Sequence, residues 1–251
     1  MSPEEVVTKL RAAGCVFAED EAELILSTAA DPGELAAMVA RRAEGFPLEQ
    51  VVGWAEFCGL RVRIDPGVFV PRRRTEFLVR RAAALAPGPG VILDLCCGSG
   101  AMGAALAVLT GGELHAADVD PAAVACARRN LGENVYLGDL FDPLPPRLRG
   151  RVDVLLANVP YVPTADLALL PTEARDHEPR VTLDGGPDGL DVLRRVTEGA
   201  PRWLAPGGLL LFETSERQAD QAVDAVTSSG LKARVLRSEE FHATVVTGLL
   251  P

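Results

Sequence analysis

No run of apolar residues in this chain reaches the ~18 that a membrane-spanning helix needs, which excludes an integral helical membrane protein. The opening Met1-Ser2-Pro3-Glu4-Glu5 is acidic where a signal peptide is basic, so a cytoplasmic location is expected. Aromatic residues are scarce, 5% of 251, and positive charge is outnumbered, giving a formal net charge of −10. That balance supplies no general field for a polyanion and disfavours nucleic acid as a direct substrate. The three histidines, His115, His177 and His242, lie far apart without helical ligand spacing, so no metal site is expected. The five cysteines show no repeated CxxC spacing, and neighbouring Cys96 and Cys97 would form a poor disulfide. Free thiols in a reducing compartment are the expectation.

Hydrophobic residues are plentiful at 48%, enough for one α/β core with a small appendage. Residues 3–45 carry three short amphipathic patterns, around Val6-Val7-Leu10, Ala22-Leu24-Ile25-Leu26 and Leu35-Met38-Val39. Asp31-Pro32 supplies an N-cap and a first helical residue for the third. This is a helical cap too small to hold a core alone. Around Gly59, Trp54–Ile64 alternates as a two-stranded ribbon does. Val70-Pro71-Arg72-Arg73-Arg74-Thr75-Glu76 follows, with Thr75 a candidate helix cap. Its arginines suit either a solvated turn or an anionic or amide-bearing partner.

From residue 90 the chain repeats strand, glycine turn and helix, the signature of a largely parallel sheet covered on both faces. Predicted strands are Val91–Leu95, Leu114–Asp118, Asn134–Leu137, Val152–Ala157, Leu209–Glu213 and Lys232–Leu236. Ala243–Leu250 follows without an intervening helix, which predicts a terminal hairpin. Helices are predicted over Ala101–Leu109 and from Asp120-Pro121 to Leu131.

Gly98-Ser99-Gly100-Ala101-Met102-Gly103 satisfies GxGxxG, a weak signal shared by dinucleotide and S-adenosylmethionine sites. In a dinucleotide fingerprint the glycines follow the strand directly and pyrophosphate meets the helix N-terminus. Here Asp94 stands at the strand end, with Leu95-Cys96-Cys97 before the glycines. A carboxylate there opposes pyrophosphate and suits a cofactor carrying an ammonium and a sulfonium. Asp118, ending the second strand, can accept hydrogen bonds from ribose hydroxyls. Asp139 and Leu140 could hold an adenine amine and ring.

Asn158-Val159-Pro160-Tyr161 ends the fourth strand. In a doubly wound sheet that strand neighbours the first, so Asn158 faces the glycine turn. An amide or exocyclic amino nitrogen is a poor nucleophile because its lone pair is delocalised. The Asn158 side-chain oxygen and a main-chain carbonyl, that of Val159, can accept its N–H groups and orient it toward a methyl donor. Pro160 stiffens the turn, and Tyr161 offers a face to a planar group.

These segments, together with Gly45–Leu60 and His177-Glu-Pro-Arg-Val-Thr-Leu-Asp-Gly-Gly-Pro-Asp-Gly-Leu190, resemble the HemK/PrmC-type protein glutamine N5-methyltransferases. The resemblance covers residues 45 to 251. It implies S-adenosylmethionine as methyl donor, S-adenosylhomocysteine as product, and the Gly-Gly-Gln glutamine of a peptide-chain release factor as acceptor. It places Cys96, Cys97, Gly98, Ser99, Gly100, Asp118, Leu140 and Asn158 at the cofactor, where their chemistry also puts Asp94 and Asp139. Asn158, Val159, Pro160 and Tyr161 fall at the catalytic tetrad, with Arg72, Thr75 and Glu76 beside the substrate. The implied fold is α/β: a class I, Rossmann-like methyltransferase with a mostly parallel seven-stranded sheet, an antiparallel C-terminal strand and a small N-terminal helical domain. The expected division is a helical cap over 1–45, a β-hairpin and linker over 46–74, and the methyltransferase domain over 75–251.

Two departures stand out. The family's tetrad is Asn-Pro-Pro-Tyr, whereas this chain has Val159; and its helical cap, which in the family helps grip the release factor, is shorter. Rival readings are a paralogue acting on another protein glutamine, a nucleic-acid amino methyltransferase on adenine N6 or guanine N2, which shares the tetrad, and a binding module without turnover. A dehydrogenase ranks behind all of these.

Overall fold

A computed structural model describes residues 1–86 and 88–251. Helix α1 (Pro3–Ala12) begins at a capping box in which Ser2 and Glu5 satisfy each other's backbone N–H groups. Helices α2 (Ala18–Thr28) and α3 (Pro32–Ala43) follow, the latter capped by Asp31, whose carboxylate accepts from the N–H groups of Gly33 and Glu34. A fourth short helix, α4 (Leu48–Val52), lies within the stretch expected as hairpin and linker. Its Val51 and Val52 join the apolar cluster of the first three helices through Val6, Leu10, Ile25 and Met38. One buried cation ties this cap to the rest. Arg42 donates to Glu21 (2.5 and 3.0 Å), to the Phe46 carbonyl (2.9 Å) and to Glu173 (2.5 Å).

The ribbon comprises β1 (Trp54–Phe57) and β2 (Leu60–Arg63), paired antiparallel with Phe57 opposite Leu60. Helix α5 (Glu76–Leu85) follows a single tight turn at Arg73–Thr75. Thr75 does not cap it. The Thr75 backbone is already helical and its hydroxyl is turned inward, toward a distant carboxylate described below.

The main sheet then unfolds as β3 (Val91–Leu95), α6 (Ala101–Thr110), β4 (Glu113–Asp118), α7 (Pro121–Leu131), β5 (Val135–Leu137) and β6 (Val152–Ala157). It continues through α8 (Thr172–His177), α9 (Asp191–Gly199), β7 (Leu204–Thr214), α10 (Ala219–Ser228), β8 (Lys232–Ser238) and β9 (Ala243–Leu249). Its order is β5-β4-β3-β6-β7-β9-β8. Strand β9 runs antiparallel to both neighbours and closes the expected terminal hairpin with β8. No helix of the described residues is long and apolar enough to cross a membrane.

Strand β7 starts five residues before its apolar run. Ala205-Pro206-Gly207-Gly208 has the composition of a turn and bulges out of the ladder, with Gly207 left-handed (φ 77°), while pairing resumes on either side, Val152 opposite Leu204 and Val154 opposite Leu209. Both sheet faces are apolar, as a parallel sheet covered on both sides requires. Leu93, Leu95, Leu155 and Phe212 pack on one side with α9 and α10; Ile92, Leu156 and Leu211 pack on the other with α5, α6 and the β1–β2 ribbon.

Candidate active site

The sheet order reverses between β3 and β6, so the loops leaving these strands diverge and open a crevice at their carboxyl ends. A cavity of about 1010 Å³ occupies it. Cys96, Cys97, Gly98 and Ser99 from the β3 turn, Asp118 from β4, and Asn158, Val159, Pro160 and Tyr161 from β6 all line it, as do Arg72 and Thr75. The structure thus brings together residues drawn from four separate sequence segments. Asp94, Gly100, Asp139, Leu140 and Glu76 do not lie on its wall, and each is engaged elsewhere.

Asp94 is fully buried beneath the turn; Oδ2 accepts from the Gly103 N–H (2.9 Å) and Oδ1 has no partner. Gly103 permits this approach, since a β-carbon there would lie 3.0 Å from the Asp94 carboxylate and 2.8 Å from Leu114. Burial pushes the Asp94 carboxyl up to about 8, against the pull of the Gly103 hydrogen bond, with Asp118 adding to the rise. Gly100 forms the left-handed entry to α6. Asp139 pairs with Arg195 (2.7 Å), and Leu140 sits in the core with Cys96 packed against the same cluster. Glu76 accepts from the Cys58 N–H (3.2 Å).

Asp118 braces the glycine turn. One of its oxygens accepts from the Gly98 N–H (2.8 Å) and the other from the Asp120 N–H (2.9 Å). Lone pairs remain on both for further donors. Burial, first of all, raises its pKa. Asn130 fixes the far side of the turn, donating to the Ser99 carbonyl (2.8 Å) and to Arg63 of the ribbon (3.0 Å). Burial also drives the Cys96 and Cys97 thiols well above their ordinary range, which makes them poor nucleophiles.

The tetrad leaves β6 at Ala157, which lies opposite both Leu95 and Phe212 in the sheet. Val159 points into the core beside Leu190 and Leu193, whereas Asn158 is half-buried on the cavity wall. At the other end, Tyr161 donates from its hydroxyl to Glu213 Oε1 (3.1 Å) and accepts from Arg74. The same buried carboxylate accepts from Arg74 Nε (2.7 Å) and from the Thr75 hydroxyl (2.8 Å). Two of the wall's arginines are therefore neutralised within the protein. Arg74 meets Glu213, and Arg72 grips Glu178 with contacts of 2.7 and 2.6 Å.

Residues 59–169 match the methyltransferase small domain family. A release factor glutamine methyltransferase of Geobacter sulfurreducens is 42% identical over 209 residues, covering 80% of this chain and 72% of that one. The chain belongs to the release factor glutamine methyltransferase family. A second member, from Moorella thermoacetica, is 37% identical over 255 residues, 90% of this chain and 88% of that protein. A methyltransferase structure from Pyrococcus furiosus shares the fold with a TM-score of 0.58 at 19% identity, covering 85% of this chain and 98% of that one. The protein is an enzyme, a methyltransferase with a Rossmann-like sheet.

Several residues of this methyltransferase's site carry no local sequence signal. Glu213 lies 138 residues beyond Thr75 and ends an apolar strand. The Asp184–Leu190 loop, visible as a motif but not as a contact, packs on the tetrad's main chain. A β-carbon on Gly185 would come within 2.7 Å of the Pro160 oxygen, and one on Gly189 within 2.3 Å of the Tyr161 oxygen. Cys96 (φ 54°) and His242 (φ 48°) line the cavity in left-handed backbone conformations without being glycine, and Leu140 (φ 48°) has the same conformation in the core. Such strain collects where a fold holds a site in shape.

Proposed function

We propose that this methyltransferase transfers the methyl group of S-adenosylmethionine to the side-chain amide nitrogen of a glutamine, releasing S-adenosylhomocysteine, and that the acceptor belongs to a peptide-chain release factor. The observation that carries the reading is the end of β6. There the Asn158 carboxamide and the Val159 main-chain oxygen are unengaged by other groups among the described residues, beside a cavity shared with the glycine turn. Two acceptors so placed suit the two N–H groups of a primary amide. Holding that nitrogen oriented favours the positive charge that builds on it as it is alkylated.

The donor set fits the cofactor. No arginine or lysine lies on the glycine turn, and Asp118 beside it opposes a pyrophosphate and suits a cation bearing a ribose. Bound there, S-adenosylmethionine supplies an electrophilic methyl on a positively charged sulfur. Asp118 retains lone pairs for ribose hydroxyls. Tyr161 is locked by Glu213 and Arg74, which presents its ring to the acceptor's planar amide. No general base is required, because the proton is lost readily once the nitrogen is alkylated. The relatives' shared name supports the release factor as acceptor.

The test is transfer of radiolabelled methyl from S-adenosylmethionine to a purified release factor, with tRNA and DNA as parallel acceptors. Label on the release factor is expected. Label in nucleic acid alone would overturn the acceptor class, and label on a different protein glutamine would overturn the release-factor assignment.

A further inference from the structure

Gln218 belongs to none of the motifs read from the sequence, yet its side chain meets the tetrad. It sits at the turn between β7 and α10, 7% exposed. Its amide nitrogen donates to two main-chain oxygens, those of Tyr161 and Asp188, each at 2.9 Å. Its oxygen accepts from the Ser215 hydroxyl at 2.5 Å. Both amide hydrogens are thus committed, and the serine decides which way the carboxamide faces. Gly189 closes the arrangement, since any β-carbon there would fall 2.4 Å from the Gln218 nitrogen.

The geometry points to Gln218 as a positioning residue for methyl transfer, acting through the Tyr161 carbonyl; this rests on the function proposed above. The tetrad is a short bridge with two abutments. Its Asn158 end is held by the sheet, through Ala157 opposite Leu95 and Phe212. Its Tyr161 end lies beyond the sheet, and Gln218 clamps it to the Asp188 loop. Removing the amide leaves two carbonyl oxygens facing the same space with no donor between them, and they separate. The Val159 oxygen and the Asn158 amide then lose their common aim, and a misplacement of about 1 Å costs roughly 10²-fold in rate. Glu213 steadies the Tyr161 ring by a separate route, through the phenol.

Gln218→Met keeps the length and loses both donors, and Gln218→Glu offers one donor only when protonated. Turnover on the release factor, S-adenosylmethionine affinity by calorimetry, and amide hydrogen exchange over 158–162 are measured for each. Expected for Gln218→Met is a fall in kcat of about 10- to 100-fold, with acceptor KM and cofactor Kd within about two-fold, and faster exchange at Val159, Tyr161 and Val162. For Gln218→Glu, kcat relative to wild type recovers as pH is lowered toward the carboxyl's pKa. Should Gln218→Met fail to fold, Ser215→Ala, which frees the amide to rotate, gives the same pattern at smaller size. Wild-type kcat and exchange in these variants overturn the inference, as does a loss matched throughout by the unfolded fraction or confined to KM. Faster exchange in the variant combined with no turnover by wild type on release factors would overturn the acceptor assignment and leave the positioning role standing.

Discussion

The Tyr161 hydroxyl and the Glu213 carboxylate meet at 3.1 Å, joining the last tetrad residue, in the loop after β6, to the end of β7. Arg74 and Thr75 bond to the same carboxylate, so one buried acid gathers three side chains from two other segments. Glu213→Ala strands all three and is expected to lower stability by about 2–3 kcal/mol. Glu213→Gln keeps the packing and half the acceptor capacity, and loses less. Urea unfolding of the two variants beside wild type checks the order; equal stability of all three would remove Glu213 as the hub.

Gly185 touches the tetrad from the opposite side. A β-carbon there would sit 2.6 Å from the Gly189 oxygen and 2.7 Å from the Pro160 oxygen, both main-chain atoms with little freedom to retreat. Gly185→Ala therefore displaces the tetrad and is expected to cut kcat by roughly 10²-fold, while cofactor affinity is retained. Cofactor titration and steady-state kinetics on the same preparation separate the two effects.

Asp94 makes stability depend on pH. Its carboxyl titrates near about 8 in the fold against an ordinary 3.8, because burial disfavours the anion. Between these values the native state holds a proton that the unfolded chain has released. Its contribution is thus fully present below the unfolded pKa and is lost as pH rises through the folded one. Asp94→Asn lacks this proton linkage. The variant is expected to gain stability relative to wild type between about pH 5 and pH 8.5, measured by urea unfolding at both; a constant difference would refute the assignment.

Arg42 and Glu21 form an ion pair in which each side chain is about nine-tenths covered, with Glu173 as a third, more exposed member. Arg42→Met leaves Glu21 buried and unpaired, at an expected cost of about 3–5 kcal/mol. The double variant Arg42→Met/Glu21→Met removes both charges and recovers part of that loss. A single-variant change below about 1 kcal/mol in denaturant unfolding would show that solvent reaches the pair. Because Glu173 also lines the cavity, turnover falls with the single variant.

How far the sequence alone reached follows from where each signal resides. Strands β3 and β6 were legible because a parallel strand buried on both faces reads as a near-continuous apolar run, broken here only by Asp94 and Asp153, and Asp31-Pro32 marked α3 because its capping chemistry is local. The start of β7 was hidden by Pro206-Gly207-Gly208, a turn-like bulge with Gly207 left-handed, beyond which the strand resumes its pairing with β6. Thr75 stood where a cap belongs, but a hydroxyl serves a distant carboxylate equally well, and no local rule distinguishes the two. The acids divide in the same way. Asp118 reached the cavity, whereas Asp94 and Asp139 were drawn off by Gly103 and Arg195. Glu213 and Gln218 were invisible because their partners lie 52 and 57 residues away at Tyr161, beyond any spacing rule.

The central claim is that Asn158, with the Val159 carbonyl, holds a glutamine amide for alkylation. Its most direct test is tandem mass spectrometry of a release factor incubated with S-adenosylmethionine and either wild-type enzyme or Asn158→Ala. With wild type, one methyl group replaces one hydrogen on the side-chain amide nitrogen of a single glutamine. With Asn158→Ala the modified fraction formed per unit time falls by about 10²–10³-fold, although the variant still binds the cofactor. An unmodified glutamine with wild-type enzyme, or equal rates for the two proteins, would contradict it.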